Sequence, residues 1–167
     1  KELAENVLIK RWKGKMLEAC ISGETKVVQL LLERCNSGEI GLNSKDNIGM
    51  TVFMWACRTG HTYVVQLLLE YSEIIELNAR NRDGWTAFML ACSNGHKDVV
   101  KLLLDQGCGL NIKGISSRYG FTPLMIACYN GHKDVVQLLL DHSDPNIDLN
   151  ARDNTGWTAF MEACAKG

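Results

Sequence analysis

Cysteine is the residue type in this sequence whose spacing most invites a chemical role. Five cysteines recur at intervals of 35 to 37 residues: Cys20, Cys57, Cys92, Cys128 and Cys164. Thiols in such numbers could bind zinc, form disulfides or act as nucleophiles. The other two, Cys35 and Cys108, are isolated, and no Cys-x-x-Cys or Cys-x-x-His spacing indicates a zinc site.

The regular interval argues against disulfides as well. If it marks stacked repeats, successive thiols lie roughly 10 Å apart, as packed helices do. A disulfide requires Cα atoms within about 7 Å of each other. We therefore predict reduced cysteines that act as small buried apolar residues, in an intracellular, cytoplasmic protein without metal or redox chemistry.

Histidines and paired acids could act as general acids or bases, but none has a nucleophile at a recognisable spacing. The candidates are the repeated His61, His96 and His132 and the loop pairs Glu73 with Glu76 and Asp144 with Asp148. Acid pairs in loops are expected to be solvated. No glycine-rich phosphate loop is present. The sequence therefore predicts no catalytic residue, no cofactor and no metal, and hence a protein that is not an enzyme.

The repeated cysteines belong to a sequence motif that occurs five times, most clearly as Thr86–Cys92. Its alanine recurs at Ala19, Ala56, Ala91, Ala127 and Ala163, in steps of 37, 35, 36 and 36 residues. A fixed period in this range indicates a solenoid. A solenoid offers a long surface for another protein and no enclosed pocket for chemistry.

Each repeat is predicted to contain two helices. The first opens at Thr51, Thr86, Thr122 or Thr158, whose hydroxyls can cap the free amides of the first turn. It ends at a glycine such as Gly60. The second helices are predicted at Thr25–Arg34, Thr62–Tyr71, Lys97–Gln106 and Lys133–His142. Their cores, with five apolar residues in six, must be sandwiched between neighbours. A polar segment rich in Asn and Gly follows and predicts a projecting turn or hairpin.

This pattern resembles the ankyrin repeat, whose consensus is close to Asp-x-x-Gly-x-Thr-Pro-Leu-His-x-Ala, then Gly-His, then Val-Val-x-Leu-Leu-Leu. Gly120–Leu124 with Gly131-His132 is the nearest copy, although methionine replaces the helix-one histidine. The resemblance covers roughly residues 14 to 167. It implies an all-α solenoid of stacked helix–turn–helix units with projecting β-hairpins. Its parts are a capping helix at 1–13, repeats at about 14–46, 47–81, 82–117 and 118–153, and a truncated repeat at 154–167.

Two columns of residues stand on the face that the family uses for binding. The residue after each hairpin glycine is large and apolar: Met50, Trp85, Phe121 and Trp157. This column is expected to be exposed and fits an interaction stripe, but partial packing on neighbouring hairpins is an open alternative. The residue that starts each hairpin is basic: Lys45, Arg80, Lys113 and Arg152. Here a structural habit of the family is favoured, because nearby aspartates neutralise these charges.

Adding the two positions before the helix-ending glycine gives a predicted protein-binding set of Met50, Arg58, Arg80, Trp85, Asn94, Phe121, Tyr129 and Trp157. A partner with apolar anchors and some acidic residues would suit this set. The net charge of -1 gives no reason to expect nucleic acid. The apolar stretches are too short to span a membrane.

The leading interpretation is a monomeric, non-enzymatic adaptor or scaffold that binds another protein or peptide on its concave hairpin and inner-helix face. One alternative is a recognition or regulatory domain of a larger enzyme or effector whose catalytic part lies elsewhere. The other is an engineered repeat scaffold with no native partner.

Overall fold

The computed structural model describes residues 2–33, 41–107, 114–116, 118–142 and 147–166, with side chains from residue 11 onward. Across the described residues it contains helices and turns, and no strand. The helices are α1 (Glu2–Ser22), α2 (Thr25–Glu33), α3 (Val52–Thr59), α4 (Thr62–Leu69), α5 (Ala87–Ser93), α6 (Lys97–Gln106), α7 (Pro123–Tyr129), α8 (Lys133–Asp141) and α9 (Ala159–Lys166).

The helices form two layers. The odd-numbered helices α1 to α9 pack side by side in chain order, and we call them the inner helices. The even-numbered helices α2 to α8 form a second row, the outer helices, and each packs on the inner helix that precedes it. The predicted all-α solenoid of helix–turn–helix units is thereby confirmed.

Short inner helices are held at both ends by residues that the sequence singled out. The hydroxyl oxygens of Thr51, Thr86, Thr122 and Thr158 accept hydrogen bonds from the amides of Met54, Met89, Met125 and Met161 at 3.2 to 3.4 Å. At the other end of α3, Gly60 adopts a left-handed conformation with φ 78° and donates its amide to the Ala56 carbonyl. Such caps satisfy backbone groups that a short helix otherwise leaves unpaired.

The core lies between the two layers and runs through successive repeats. Phe53 and Phe88 are fully buried. So are Met54, Met89 and Met125, the methionines at the same position of α3, α5 and α7. The outer helices add Val64, Val65 and Leu68 and their counterparts. In the last inner helix, by contrast, Phe160 is 76% exposed, because no outer helix follows α9 in the described residues.

The amino-terminal end differs from the expected division at residue 13. α1 is one continuous helix from Glu2 to Ser22, so the expected capping segment and the first inner helix form a single rod. Glu18 stands in α1 where the central repeats have Trp55, Leu90 and Ile126, and it is exposed at the amino-terminal end of the stack. Glu162 stands at the same position in α9 but is buried.

The repeated cysteines are free thiols. Cys20, Cys57, Cys92 and Cys128 are buried, whereas Cys164 is exposed. Burial raises the pKa of the buried thiols, to about 12 for Cys20. The prediction of a buried thiol is therefore wrong for Cys164, since no outer helix covers α9 among the described residues. Cys35 and Cys108 lie outside the described residues.

Neighbouring repeats are locked together by a histidine that fits against a glycine. The Nε2–H groups of His61, His96 and His132 donate to the carbonyls of Ile21, Arg58 and Ser93 at 2.8 to 2.9 Å. Each carbonyl lies two residues before the glycine that the ring covers. A Cβ added at Gly95 would lie 2.6 Å from Nδ1 of His132, and Gly23 and Gly60 are equally crowded by their histidines.

We predict that Gly95→Ala destabilises the protein by about 2 kcal/mol more than Gly131→Ala. Both glycines have φ near 70°, so alanine suffers the same left-handed strain of about 1–2 kcal/mol at each. At Gly95 the new methyl group also displaces His132, whereas nothing lies within 4 Å of a Cβ at Gly131. Urea unfolding followed by circular dichroism measures both losses. Equal losses would contradict the proposed role of the histidine contact.

Candidate protein-binding surface

The hairpins and the carboxyl ends of the inner helices form one continuous surface. This is clearest in the fourth repeat, where the Phe121 ring lies between two tyrosines. Its centroid is 5.8 Å from that of Tyr119 in the same hairpin and 5.9 Å from that of Tyr129 at the end of α7. Two of the predicted residues, Phe121 and Tyr129, are thus in direct contact. We call this continuous surface the hairpin–inner-helix surface.

Three of the hairpins are tight turns held by the side chain of the residue that follows the basic one. Oδ1 of Asp46 accepts the amides of Ile48 and Met50 at 3.0 and 2.8 Å. Asn81 and Asp153 make the same pair of bonds in their own hairpins. Two backbone hydrogen bonds close each turn; in the first hairpin they run from Asp46 N to Met50 O at 2.9 Å and from Gly49 N to Asp46 O at 3.0 Å. The expected β-hairpins are therefore turns without regular strand pairing among the described residues.

Neighbouring hairpins are joined by backbone and side-chain hydrogen bonds. Nη1 of Arg80 donates to the carbonyls of Gly84 at 2.8 Å and Ile115 at 2.7 Å, and Nζ of Lys45 donates to the Arg80 carbonyl at 2.9 Å. In the last hairpin, Arg152 donates to Gly156. The structure thus gives Lys45, Arg80 and Arg152 the structural role that the sequence favoured. Arg80 braces two hairpins through these bonds, and its place in the binding set stays a prediction. Lys113 lies outside the described residues.

Met50 is the clearest departure from the predicted surface. It is 1% exposed, whereas the column to which it belongs was expected to be exposed. Its side chain packs in the core, and its sulfur lies 3.6 Å from the Asn81 amide nitrogen. The expectation of an exposed side chain is therefore wrong here. Met50 instead forms a wall of a cavity of about 170 Å³, which it shares with Met16, Leu17 and Val52.

The rest of the aromatic column becomes progressively more exposed towards the carboxyl end. Trp85 and Phe121 are half-buried and pack against the core, while Trp157 is 42% exposed. Partial packing thus describes Trp85 and Phe121, and the exposure expected of an interaction stripe describes Trp157. The three rings present their remaining faces in three successive repeats.

The ends of the inner helices contribute the polar members of the surface. Arg58 is exposed, and its guanidinium carbon lies 5.0 Å from the ring centroid of Trp55. Trp55 was missed in the sequence, although an arginine three residues along a helix from an aromatic residue could have indicated this pair. The indole Nε1–H donates to Oδ2 of Asp46 at 2.8 Å and so ties α3 to its hairpin.

At the carboxyl end of the surface, one cation lies against each tyrosine. Nζ of Lys166 is 4.2 Å from the centroid of Tyr129, and the guanidinium of Arg118 is 5.5 Å from that of Tyr119. Asn94 is exposed, and its side-chain amide donates to the Leu90 carbonyl at 2.8 Å. The sequence missed Tyr119 and Lys166. The contact of Lys166 with Tyr129 joins two repeats and therefore leaves no spacing signal within one repeat.

The carboxylates of this surface have shifted pKa values. Burial by itself would raise the pKa of Asp46, but donors from Met50, Trp55 and Ile48, together with the charge of Arg82, lower it below the ordinary 3.8. Hydrogen bonds lower the pKa of Asp153 in the same way against the effect of burial. For Glu162, burial and the neighbouring Asp153 raise the pKa.

The residues that the structure describes hold neither a metal-binding cluster nor a membrane-spanning helix. Among them, no group of three or more His, Cys, Asp or Glu side chains could hold a metal ion. None of their helices is both long and apolar enough to cross a bilayer.

We expect Asp46→Asn to lower stability at neutral pH by about 1 kcal/mol, because asparagine keeps the turn, as Asn81 does, but weakens the bond from the Trp55 indole. A folded-state pKa below 3.8 gives stability that is present above that pH and is lost as pH falls through the folded value. The difference from wild type should therefore shrink below about pH 4. Urea titrations from pH 7 to pH 2 measure it, with Asp105→Asn on α6 as control. A difference that is constant with pH would contradict the role of the charge.

The sequence was compared with curated proteins and with protein-family models. No curated protein matches the sequence. A family model described as ankyrin repeats (3 copies) matches residues 16–114 and 110–167. Ankyrin repeats are generally protein–protein interaction modules and are typically non-enzymatic. The match spans most of the sequence, and the two-layered fold agrees with it, so the chain belongs to the ankyrin repeat family.

Proposed function

We propose that this protein is a non-enzymatic adaptor or scaffold module that binds a partner protein or peptide on the hairpin–inner-helix surface. The observation that carries the proposal is the run of partly exposed aromatic side chains through successive repeats, from Trp55 and Trp85 to Tyr129 and Trp157. Aromatic and arginine side chains supply most of the hot spots in protein interfaces.

The packing supports this surface over the opposite one. On the outer helices, the valines and most leucines are committed to the core between the layers. Their exposed positions are mainly Lys, Asp, Glu and Gln, such as Lys97, Asp98 and Lys133. Lysine, glutamate and aspartate are depleted in interface cores relative to aromatic residues and arginine. The outer helices also expose Leu30, Tyr63 and Leu140, one in each of three helices, whereas the hairpin side places aromatic rings at the same position of successive repeats.

The free thiols support the proposal that the protein resides in a reducing compartment, such as the cytoplasm. We propose that it acts there as a monomer. Four of them are buried in the core without a disulfide. Proteins from oxidising compartments more often use their cysteines in disulfides.

The test is a pair of double variants, titrated against a partner that has been captured from cell extract and then purified. Trp85→Ala with Tyr129→Ala should weaken binding by about 2 kcal/mol or more, while helicity is retained, because hot-spot rings are lost. Lys97→Ala with Lys133→Ala, on the outer helices, should change the affinity by less than about twofold. Isothermal calorimetry gives the affinities, and circular dichroism monitors the fold. The opposite pattern would place the interface on the outer helices.

A further inference from the structure

Charge is segregated between the two layers of the described structure. The inner helices and hairpins carry the basic side chains Arg11, Lys13, Lys15, Lys45, Arg58, Arg80, Arg82, Arg118, Arg152 and Lys166, against the acids Glu18, Asp46, Asp83, Asp153 and Glu162. The outer helices and the loops beside them carry Lys26, Lys97, Lys101 and Lys133, against Glu24, Glu33, Glu70, Glu73, Glu76, Asp98, Asp105, Asp134, Asp141 and Asp148. A net charge near zero thus conceals a basic face and an acidic face.

The acids of the basic face are largely occupied within the protein. Asp46 and Asp153 accept amide hydrogen bonds within their own turns. Glu162 is buried beneath the surface. Asp83 pairs with Arg118 at 2.9 Å, but both side chains are at least half exposed, and such a pair contributes little. A ligand carboxylate can therefore compete for Arg118.

Three of the cations, by contrast, are exposed and lie against aromatic faces. Arg58 covers Trp55, Arg118 covers Tyr119, and Lys166 covers Tyr129. Each contact leaves the charged group open to solvent while holding it beside an apolar ring. A ligand that carries a carboxylate next to an apolar side chain would meet both groups at the same point.

The amino-terminal end of the basic face repeats this combination. The cavity of about 170 Å³ between α1 and the first hairpin is lined by Met16, Leu17 and Met50, with Lys13 and Lys45 among its other lining residues. A cavity of this size suits a single apolar side chain. Lys13 suits an adjacent carboxylate, while Lys45 donates to the Arg80 carbonyl and Asp46 also lines the cavity.

We infer that the partner segment is acidic and carries large apolar side chains between its carboxylates. This inference deepens the proposed function and rests on it. Charge complementarity decides for acidic over basic segments, since a basic ligand would be repelled on this face and drawn to the outer helices. Neighbouring repeats lie about 10 Å apart. An extended segment advances about 3.3 Å per residue, so every third residue of the partner can meet a new repeat.

The probe is a fluorescent twelve-residue peptide of four Glu-Leu-Asp units, titrated against the full chain by anisotropy. The triple variant Arg58→Gln, Arg118→Gln, Lys166→Gln should weaken its binding about tenfold. The control variant Lys97→Gln, Lys101→Gln, Lys133→Gln removes equal charge from the outer helices and should change binding less than twofold. Raising salt from 50 to 300 mM should weaken binding to wild type more than binding to the first variant.

Comparison peptides and a nucleic acid complete the test. Four Glu-Ser-Asp units, which lack apolar anchors, and four Lys-Leu-Lys units should both bind at least tenfold more weakly than the probe. Equal binding of the basic peptide, equal effects of the two triple variants, or no binding of the probe would overturn the inference. So would tighter binding of a twelve-nucleotide oligothymidine that depends on the same three cations.

Failure of this inference can be told apart from failure of the proposed function. If Trp85→Ala with Tyr129→Ala weakens the captured partner but the Arg58, Arg118 and Lys166 substitutions do not, the surface binds protein without selecting acids. If the aromatic substitutions have no effect on the captured partner, the proposed surface itself is wrong.

Discussion

The contact between a histidine ring and the glycine of the preceding repeat is the constraint on which the rest of the structure depends. It combines a left-handed glycine, a ring that fits where a Cβ would stand, and a hydrogen bond from His96 to the Arg58 carbonyl at 2.8 Å. Three such contacts fix the register between successive inner helices. Because Arg58 provides the carbonyl, the interlock also fixes the backbone from which a surface side chain projects. The same geometry that stacks the repeats therefore positions the binding residues.

The hairpins extend this order beyond the helices. Asp46, Asn81 and Asp153 turn the chain with their side-chain oxygens, and Arg80 bridges one hairpin to the next. These bonds use polar groups that would otherwise face solvent or a partner. What stays available is mainly aromatic and cationic, which is why the face is basic although the net charge is -1. A partner thus meets the side chains that are not used in hydrogen bonds to the backbone of the hairpins.

Much of the fold could be predicted from single residues because those residues act locally. A threonine caps the inner helix that it begins and a glycine follows its end, so the predicted inner helices begin directly after their threonines and end within two residues of their glycines. The candidate site could be predicted only in part. Met50 and Trp157 occupy the same column, yet one is 1% exposed and the other 42%, because different neighbours surround them. Repeat position alone does not specify how much of a side chain its neighbours cover.

The sequence by itself determined the period, the two helices of each repeat and the buried cysteines of the central repeats. It also determined the repeat positions at which binding residues are predicted. These follow from spacing and side-chain chemistry within one repeat. Only the tertiary structure decided that Arg80 is a brace, that Lys166 reaches Tyr129 from the following repeat, and that Cys164 is exposed. Each of these outcomes depends on which side chains of adjacent repeats meet, or on whether an outer helix covers them. Such contacts are set by the stacking of repeats and not by the order of residues within one.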